Sequence, residues 1–355
     1  MLTAKSRLPI REMLLIGIWP SAIKKMIYRL AGYRIGRGVR LGFGAVICGE
    51  QVEVGDHAQI SFGTAIRGKS IRIGAHVQIG ALTFIDTPHI AIGEGTKINE
   101  QVFVGGMQFS NSRFTVGRNC LIMQMSYINP CHSITIGDDS GVGVDCLLIG
   151  HASWQSKFEG YPVNFQPIEI GNSVALAWRV TVLPGTKIGD GATIGANSLV
   201  KETIPPRCLA VGFPARVVVK APYYPRTVKE GEKVQYLQEI VAEMLEYFRG
   251  FGLSCHADGA VVEVRQMQRR WIFRTEKIQR LMVMPEGLPK TGLPGIDVVL
   301  CLNHIPDQLR NELVQQKQMW IDLEKKERSD FGNPLGEEVA QYLKRYGVRL
   351  FRVKP

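Results

Sequence analysis

The sequence predicts a mainly β protein: a parallel β-helix, with a helical segment before it and a small α/β domain after it. Three observations carry this. Glycines that follow an Ile or Val recur at near-constant spacing, an aliphatic residue recurs every six positions between them, and both patterns stop after Lys220.

The repeat is regular enough to number. Gly36, Gly55, Gly74 and Gly93 stand 19 residues apart, and the intervals onward to Gly117, Gly137, Gly171, Gly189 and Gly195 are 24, 20, 34, 18 and 6. Stretches such as "VEVGDHAQISFGTAIRG" and "TKIGDGATIGANSLV" are three hexads with a residue or so to spare. In each hexad the aliphatic side chain is expected to point inward from a short strand. The glycine after it is expected to turn the corner through positive φ. Three strands and three corners close one coil, and coils stack with a parallel-strand spacing of about 4.8 Å. Seven or eight coils give a prism roughly 35–40 Å long on that spacing. A single coil cannot bury its aliphatics alone, so the stack is the folding unit.

Residues 1–32 precede the first coil. "RLPIREMLLIGIWPSAIKKMIYRLAG" is basic and amphipathic, which leaves two readings: a helix capping the stack, or a peripheral membrane contact through residues 7–32. No signal peptide or spanning segment is visible, because the apolar run Met13 to Trp19 is far short of the roughly 20 residues a span needs. The 355-residue chain is 45% hydrophobic and carries a net charge of +11. That excess suits an anionic surface or a phosphorylated ligand. No compact Lys/Arg run appears, so nucleic acid is not an expected partner. The seven cysteines are scattered and lack CxxC spacing, which points to a reducing, cytoplasmic compartment and to neither disulfides nor a structural zinc.

The rhythm breaks once. After Gly137 the coil runs to Gly150, and about eighteen residues, His151 to Ile168, intervene before "IEIG" resumes. A β-helix has no packing reason to extrude such a loop, and long loops on rigid scaffolds usually carry function. His151 opens it. The ordinary pKa of histidine, about 6.5, leaves a neutral base available near pH 7. His57, His76, His89, His132, His256 and His304 have no such setting and read as surface or satisfied core residues.

The strings "LPGTKIGDGATIGA" and "IPPRCLAVGFPARVV" resemble the C-terminal coils of galactoside and maltose acetyltransferases, members of the hexapeptide-repeat acyltransferases. The likeness covers roughly residues 33–220. It implies a left-handed β-helix, acetyl-CoA as acyl donor with no metal, and a homotrimer with CoA lying between adjacent prisms. It also implies that Gly150-His151 is the family's "GH" pair, with His151 the general base. The Ala177–Trp178 corner lies 27 residues later, where a backbone N–H helps polarise the thioester carbonyl. Ala196 matches the small residue beside the pantetheine, and Lys201 and Arg216 match cations near the CoA phosphates. Asn129, before the catalytic coil, is the candidate acceptor contact. The chain departs from the family at Ala175, at Trp178 and at Glu202, which follows Lys201 where the family lysine stands.

Other catalysts fit less well. His89, His132 and His151 lack the paired spacing of a three-histidine zinc site, no N-terminal Gly-rich phosphate loop precedes the coils, and no GxSxG occurs. Three functions are left. O-acetylation of a saccharide or glycan in cell-surface polysaccharide synthesis is the leading one. N-acetylation of an amino-sugar nucleotide is the second, and a non-catalytic trimeric scaffold the third. The expected location is cytoplasmic, at the inner face of the membrane.

Residues 33–220 are thus expected to form the β-helix and 221–232 a linker, with 233–355 a small α/β domain of unknown role. In that domain the spacing predicts a helix from Val234 that Gly250 ends, strands over 260–284, and a buried strand in "GIDVVLCLN". It then predicts helices in "DQLRNELVQQKQMWIDLEKKE" and "GEEVAQYLKRYG", and a last strand in "VRLFRV". "SDFGNPLGEEV", with Asp330 and Asn333, reads as a helix-capping loop or a purposeful one.

Overall fold

The structure is a computed structural model that describes residues 9–270, 273–287 and 293–353. It divides into two compact units between Arg226 and Thr227.

The first unit is a parallel β-helix. Its strands form three sheets of eight, ten and eight strands, each ordered by successive coils. The first sheet runs from Arg34–Ile35 to Lys187–Ile188. The second begins at Arg40–Leu41 and closes with the hairpin Cys208–Gly212/Ala215–Lys220. The third runs from Val46–Cys48 to Leu199–Val200. Registration is strict. Ile71, Ile90, Phe114, Ile134 and Ile168 pair in one inward column, each at most 3% exposed. Each such side chain stabilises the stack by about 1.5–3 kcal/mol on burial.

The glycines do not turn the corners through positive φ, as the hexad reading expected. Positive φ falls two residues later, at His57, His76, Asn119 and Asp139 among others. The conserved spacing has another cause: a Cβ on Gly55 would lie 2.5 Å from the Ala75 nitrogen, and one on Gly74 2.6 Å from that of Glu94. Glycine is required there because successive coils come close. Gly195 belongs to the second sheet rather than the first, which explains its interval of 6.

The N-terminal segment is not one helix. Ile10–Glu12 continues into a π-helical turn over Met13–Gly17, and a separate helix, Ser21–Leu30, begins after Pro20. Proline at that point ends the first segment and fixes the start of the second. The second helix closes the end of the stack. Ser21 Oγ accepts from the Leu41 N–H, the Tyr28 hydroxyl accepts from the Ile47 N–H, and Lys24 Nζ donates to the Gly42 and Ala45 carbonyls. Residues 7 and 8 of the segment lie outside the described residues.

The second unit is a seven-stranded mixed sheet with helices on both faces. Strands Ser254–Asp258, Val261–Arg270 and Phe273–Met284 are antiparallel, and Phe273–Met284, Val298–Cys301 and Met319–Asp322 are parallel. Leu300 and Ile321 pack with the helices Glu230–Gly250 and Pro334–Leu343 in one cluster; Val299, Cys301 and Trp320 pack with Leu313 of Asp307–Gln315 in another. Two expectations change here. The first helix begins at Glu230, where Glu232 reaches back to accept from the Lys229 N–H. The "DQLRNELVQQKQMWIDLEKKE" helix stops at Gln315, and "MWID" is a fully buried strand. Asn333 Oδ1 accepts from the Leu335 and Gly336 N–H groups, so that loop caps a helix.

Candidate active site

One edge of the prism gathers three of the candidate residues, Asn129, His151 and Lys201. It is the corner where strands of the third sheet end and the chain turns into the first. Five strands bring residues to it in order: Phe103–Val104, Tyr127–Asn129, Leu147–Ile149, Thr181–Val182 and Leu199–Val200.

His151 follows the third of these strands. It opens a hairpin in which His151–Ala152 pairs antiparallel with Asn164–Phe165, His151 opposite Phe165. The imidazole is partly exposed. Its Nδ1 is buried with no hydrogen-bond partner among the described residues, which leaves Nε2 as the nitrogen able to meet an acceptor.

Asn129 lies one coil below. It is 1% exposed, its carbonyl accepts from the Gly150 N–H at 3.0 Å, and its side-chain Oδ1 is buried without a partner among the described residues. A buried amide oxygen left unpaired costs about 1–3 kcal/mol. A hydroxyl donor supplied by a ligand would recover that cost.

A second extruded segment meets the hairpin. The 24-residue interval places its extra residues at 105–111, on this same corner. Phe109 packs edge-on against Phe165 with ring centroids 5.5 Å apart, and the Gln108 amide donates to the Asp86 carbonyl. Gly106 has φ +120° and lies against the Asn129 amide, where a side chain would collide. The long interval was the sequence signal for this segment, and the hexad reading passed over it.

Lys201 stands on the same corner, two coils beyond His151, or about 10 Å along the stack. Arg216 lies on the last strand of the second sheet, opposite Val211, and its side chain reaches across to Glu202. Both are exposed and both are paired with Glu202: Arg216 Nη1 at 3.1 Å and Lys201 Nζ at 3.9 Å. They suit an anion, which would compete with Glu202 for them.

The Ala177–Trp178 pair and Ala196 occupy a different corner, where the second sheet turns into the third. There the Trp178 carbonyl accepts from the Asn197 N–H at 3.0 Å. Among the described residues no acceptor meets the Trp178 N–H, as at the equivalent corner residues Phe43 and Phe62. Within one chain this corner is about 20 Å from that of His151, taking six extended residues at about 3.3 Å each. The structure therefore brings Asn129, His151 and Lys201 to one edge and leaves Ala177, Trp178 and Ala196 on another, with Arg216 on the last strand of the second sheet and joined to the first group through Glu202. A shallow groove lined by Thr135, Glu169 and Lys187 crosses the first sheet and contains none of these residues.

Comparison with known proteins agrees with the motifs. The chain is 31% identical over 140 residues to the galactoside O-acetyltransferase of Escherichia coli, an overlap covering 37% of this chain and 64% of that relative. It is 32% identical over 113 residues to the putative lipopolysaccharide biosynthesis O-acetyl transferase WbbJ of the same organism, covering 29% of this chain and 58% of that one. The chain thus spans less than two thirds of either relative. Among solved structures, galactoside acetyltransferase in complex with coenzyme A matches at 18% identity and a TM-score of 0.27, covering 60% of this chain and 80% of that one. No family model matches. The coil region resembles the hexapeptide-repeat acetyltransferases in sequence, and its fold is the parallel β-helix that this resemblance implies.

Proposed function

We propose that the chain is a CoA-dependent acyltransferase that O-acetylates a saccharide in the synthesis of a cell-surface polysaccharide, such as an O-antigen, a capsule or an exopolysaccharide. The carrying observation is His151. It stands at the mouth of a hairpin extruded from the stack, two residues after Ile149, whose strand partner Asn129 has an Oδ1 unpaired among the described residues. Relatives named as O-acetyltransferases of a galactoside and in lipopolysaccharide biosynthesis support the reaction class.

In this reading Asn129 Oδ1 accepts a hydrogen bond from the acceptor sugar and orients it. His151 Nε2 takes the proton of the attacking hydroxyl as its oxygen bonds to the thioester carbonyl carbon. The tetrahedral intermediate collapses, the C–S bond breaks, and the CoA sulfur leaves with the proton returned by His151. A main-chain donor at Trp178 stabilises the oxyanion. Because His151 and Trp178 sit on different corners of one chain, a complete site needs a second prism, which supports a homotrimer. Lys201 and Arg216 receive the CoA phosphates after exchanging Glu202 for them. A cytoplasmic location against the inner membrane face belongs to the same proposal.

The test is acetyl-CoA consumption by wild type and His151→Ala, offered sugars, sugar nucleotides and lipid-linked glycans. Turnover on a saccharide hydroxyl is expected to fall by roughly 100-fold or more in the variant. Undiminished turnover in the variant would remove His151 as base. Turnover only on an amino-sugar nucleotide would make the enzyme an N-acetyltransferase, and no turnover and no CoA binding would leave a scaffold.

A further inference from the structure

The helices at the N-terminal end of the stack are inside out. A surface helix normally buries its apolar stripe and shows its polar face to water. Here the helix Ser21–Leu30 turns Ser21, Lys24 and Tyr28 toward the coils, and Lys24 is fully buried. Burial pushes the Lys24 amine below the ordinary lysine pKa, and its two carbonyl acceptors hold it in place. Hydrogen bonds thus anchor the capping helix, while Met13 and Ile16 of the preceding turn pack against the coils. The large apolar residues of the same segment point outward: Leu14 is 64% exposed, Leu15 59% and Leu30 82%, with Ile10, Ile18, Trp19 and Met26 exposed beside them.

Cations flank this face, with Glu53 and Asp56 of the next coil beside Arg34 and Arg37. Arg11 and Arg29 are exposed and Lys25 partly so, and the first coil adds exposed Arg34, Arg37 and Arg40; Glu12 is the sole acid between residues 10 and 40. Two occupants are physically open: a second copy of this chain, or a surface of opposite charge. A contact between copies would bring the same cations together at low dielectric, where like charges repel. An anionic bilayer takes both features at once: apolar side chains enter the headgroup boundary, Trp19 prefers that depth, and each surface cation adds attraction. No helix among the described residues is long and apolar enough to cross a membrane.

We infer that this end of the prism docks on an anionic lipid surface through Leu14, Leu15, Ile18 and Trp19, with Arg34, Arg37 and Arg40 reaching headgroup phosphates. This deepens the membrane-side placement proposed above and is independent of the acyl-transfer chemistry.

The test is co-sedimentation of the full chain with vesicles containing phosphatidylglycerol and with vesicles of phosphatidylcholine alone, at low and high salt. Wild type is expected to sediment with the anionic vesicles, and less so as salt rises. The variant carrying Leu14→Ser, Leu15→Ser and Trp19→Ser is expected to lose roughly tenfold or more of that binding. Replacing Arg34, Arg37 and Arg40 by Gln should weaken the salt dependence, with Arg11, Lys25 and Arg29 left in place. Absent binding of wild type, or binding untouched by both variants, overturns the inference; so does a fall in assembly mass by light scattering in the triple serine variant, which would assign the face to a second copy. Acetyl transfer to a soluble acceptor, measured on the same variants, separates failure of docking from failure of the proposed enzyme.

Discussion

The two units bury polar groups by different means. In the β-helix the buried polar side chains are mostly Thr, Ser and Asn, and each of several closes on the backbone of the next coil: Thr64 to the Gly80 carbonyl at 2.7 Å, Thr96 to Gly117 at 2.7 Å, Ser140 to Gly171 at 2.8 Å. Lys24 and Asp139 are the charged exceptions. Its ion pairs lie largely at the surface, as with Arg118–Asp138 and Arg216–Glu202. The 227–355 unit buries charge. Asp322 is fully buried and accepts from Arg310 Nη2 at 2.7 Å, from His304 Nδ1 at 2.9 Å, and from the Ile305 and Lys325 N–H groups at 2.9 Å. Arg328 and Arg352 converge on Glu337. A repeating coil can supply a carbonyl at the same place in every turn, so a neutral hydroxyl suffices. A singular loop such as 302–306 has no such periodic partner and is pinned by a charge instead.

The largest effect expected from this difference is on Asp322→Ala. It takes the fully buried carboxylate from Arg310, whose side chain is 10% exposed, and leaves that guanidinium with the more exposed Glu327 at 2.8 Å and Asp307 at 3.7 Å. Breaking a buried pair in this way costs about 3–5 kcal/mol. In a denaturant melt followed by calorimetry, the transition of the 227–355 unit should drop while that of the coils stays in place. A single transition that shifts as a whole would show that the units do not unfold separately, and no shift would show that the network contributes nothing.

Acid should sharpen the contrast without a mutation. Burial raises the Asp322 carboxyl, but the Lys325 and Ile305 N–H donors, with Arg310 and His304, outweigh it and hold it below the ordinary aspartate value. Glu337 is likewise raised by burial and lowered further by Arg328 and Arg352. With folded values below unfolded ones, the unfolded state binds more protons as pH falls. The stability these groups add is therefore complete above the unfolded carboxylate range of about 4 and is lost as pH drops through the folded values. The denaturation midpoint of the second unit should hold from neutral pH down to that range and then, as pH falls below it through the folded values, drop by more than the midpoint of the coils. Equal falls would mean that the buried carboxylates do not set the difference.

The same contrast explains what the sequence made legible. The coils were readable because one hexad rule repeats, and His151 was readable because it stands where the rule fails. The role of glycine was misread, because a clash between Gly55 and Ala75 of the next coil has no signature within a single hexad. The 105–111 segment was visible as a long interval, but its partnership with Phe165 depends on both extrusions leaving by the same corner, which only the closed stack shows. In the second unit "QQKQMWIDLEKKE" is rich in helix formers, and a short buried strand carries no period to set against them. Lys317, at φ +60°, ends the helix at a point its residue type does not advertise.

The smallest effect probes the surface pairs. Glu202 stands where the family pattern has its lysine, and it holds both Arg216 and Lys201 across exposed contacts of 3.1 and 3.9 Å. Exposed pairs of this kind are worth about 0–1 kcal/mol, so Glu202→Gln should leave the melt of the coils unchanged. It should, however, release two cations for the CoA phosphates and tighten acetyl-CoA by roughly two- to fivefold, an effect that shrinks with salt. Arg216→Gln should weaken acetyl-CoA by a similar factor, and the double variant should fall between the two single variants, because Glu202→Gln still releases Lys201. Calorimetric titration of acetyl-CoA into the three variants distinguishes the cases. If Glu202→Gln weakens binding, Glu202 is itself a ligand contact, and the departure from the family lysine marks a different way of holding CoA rather than a competitor for its phosphates.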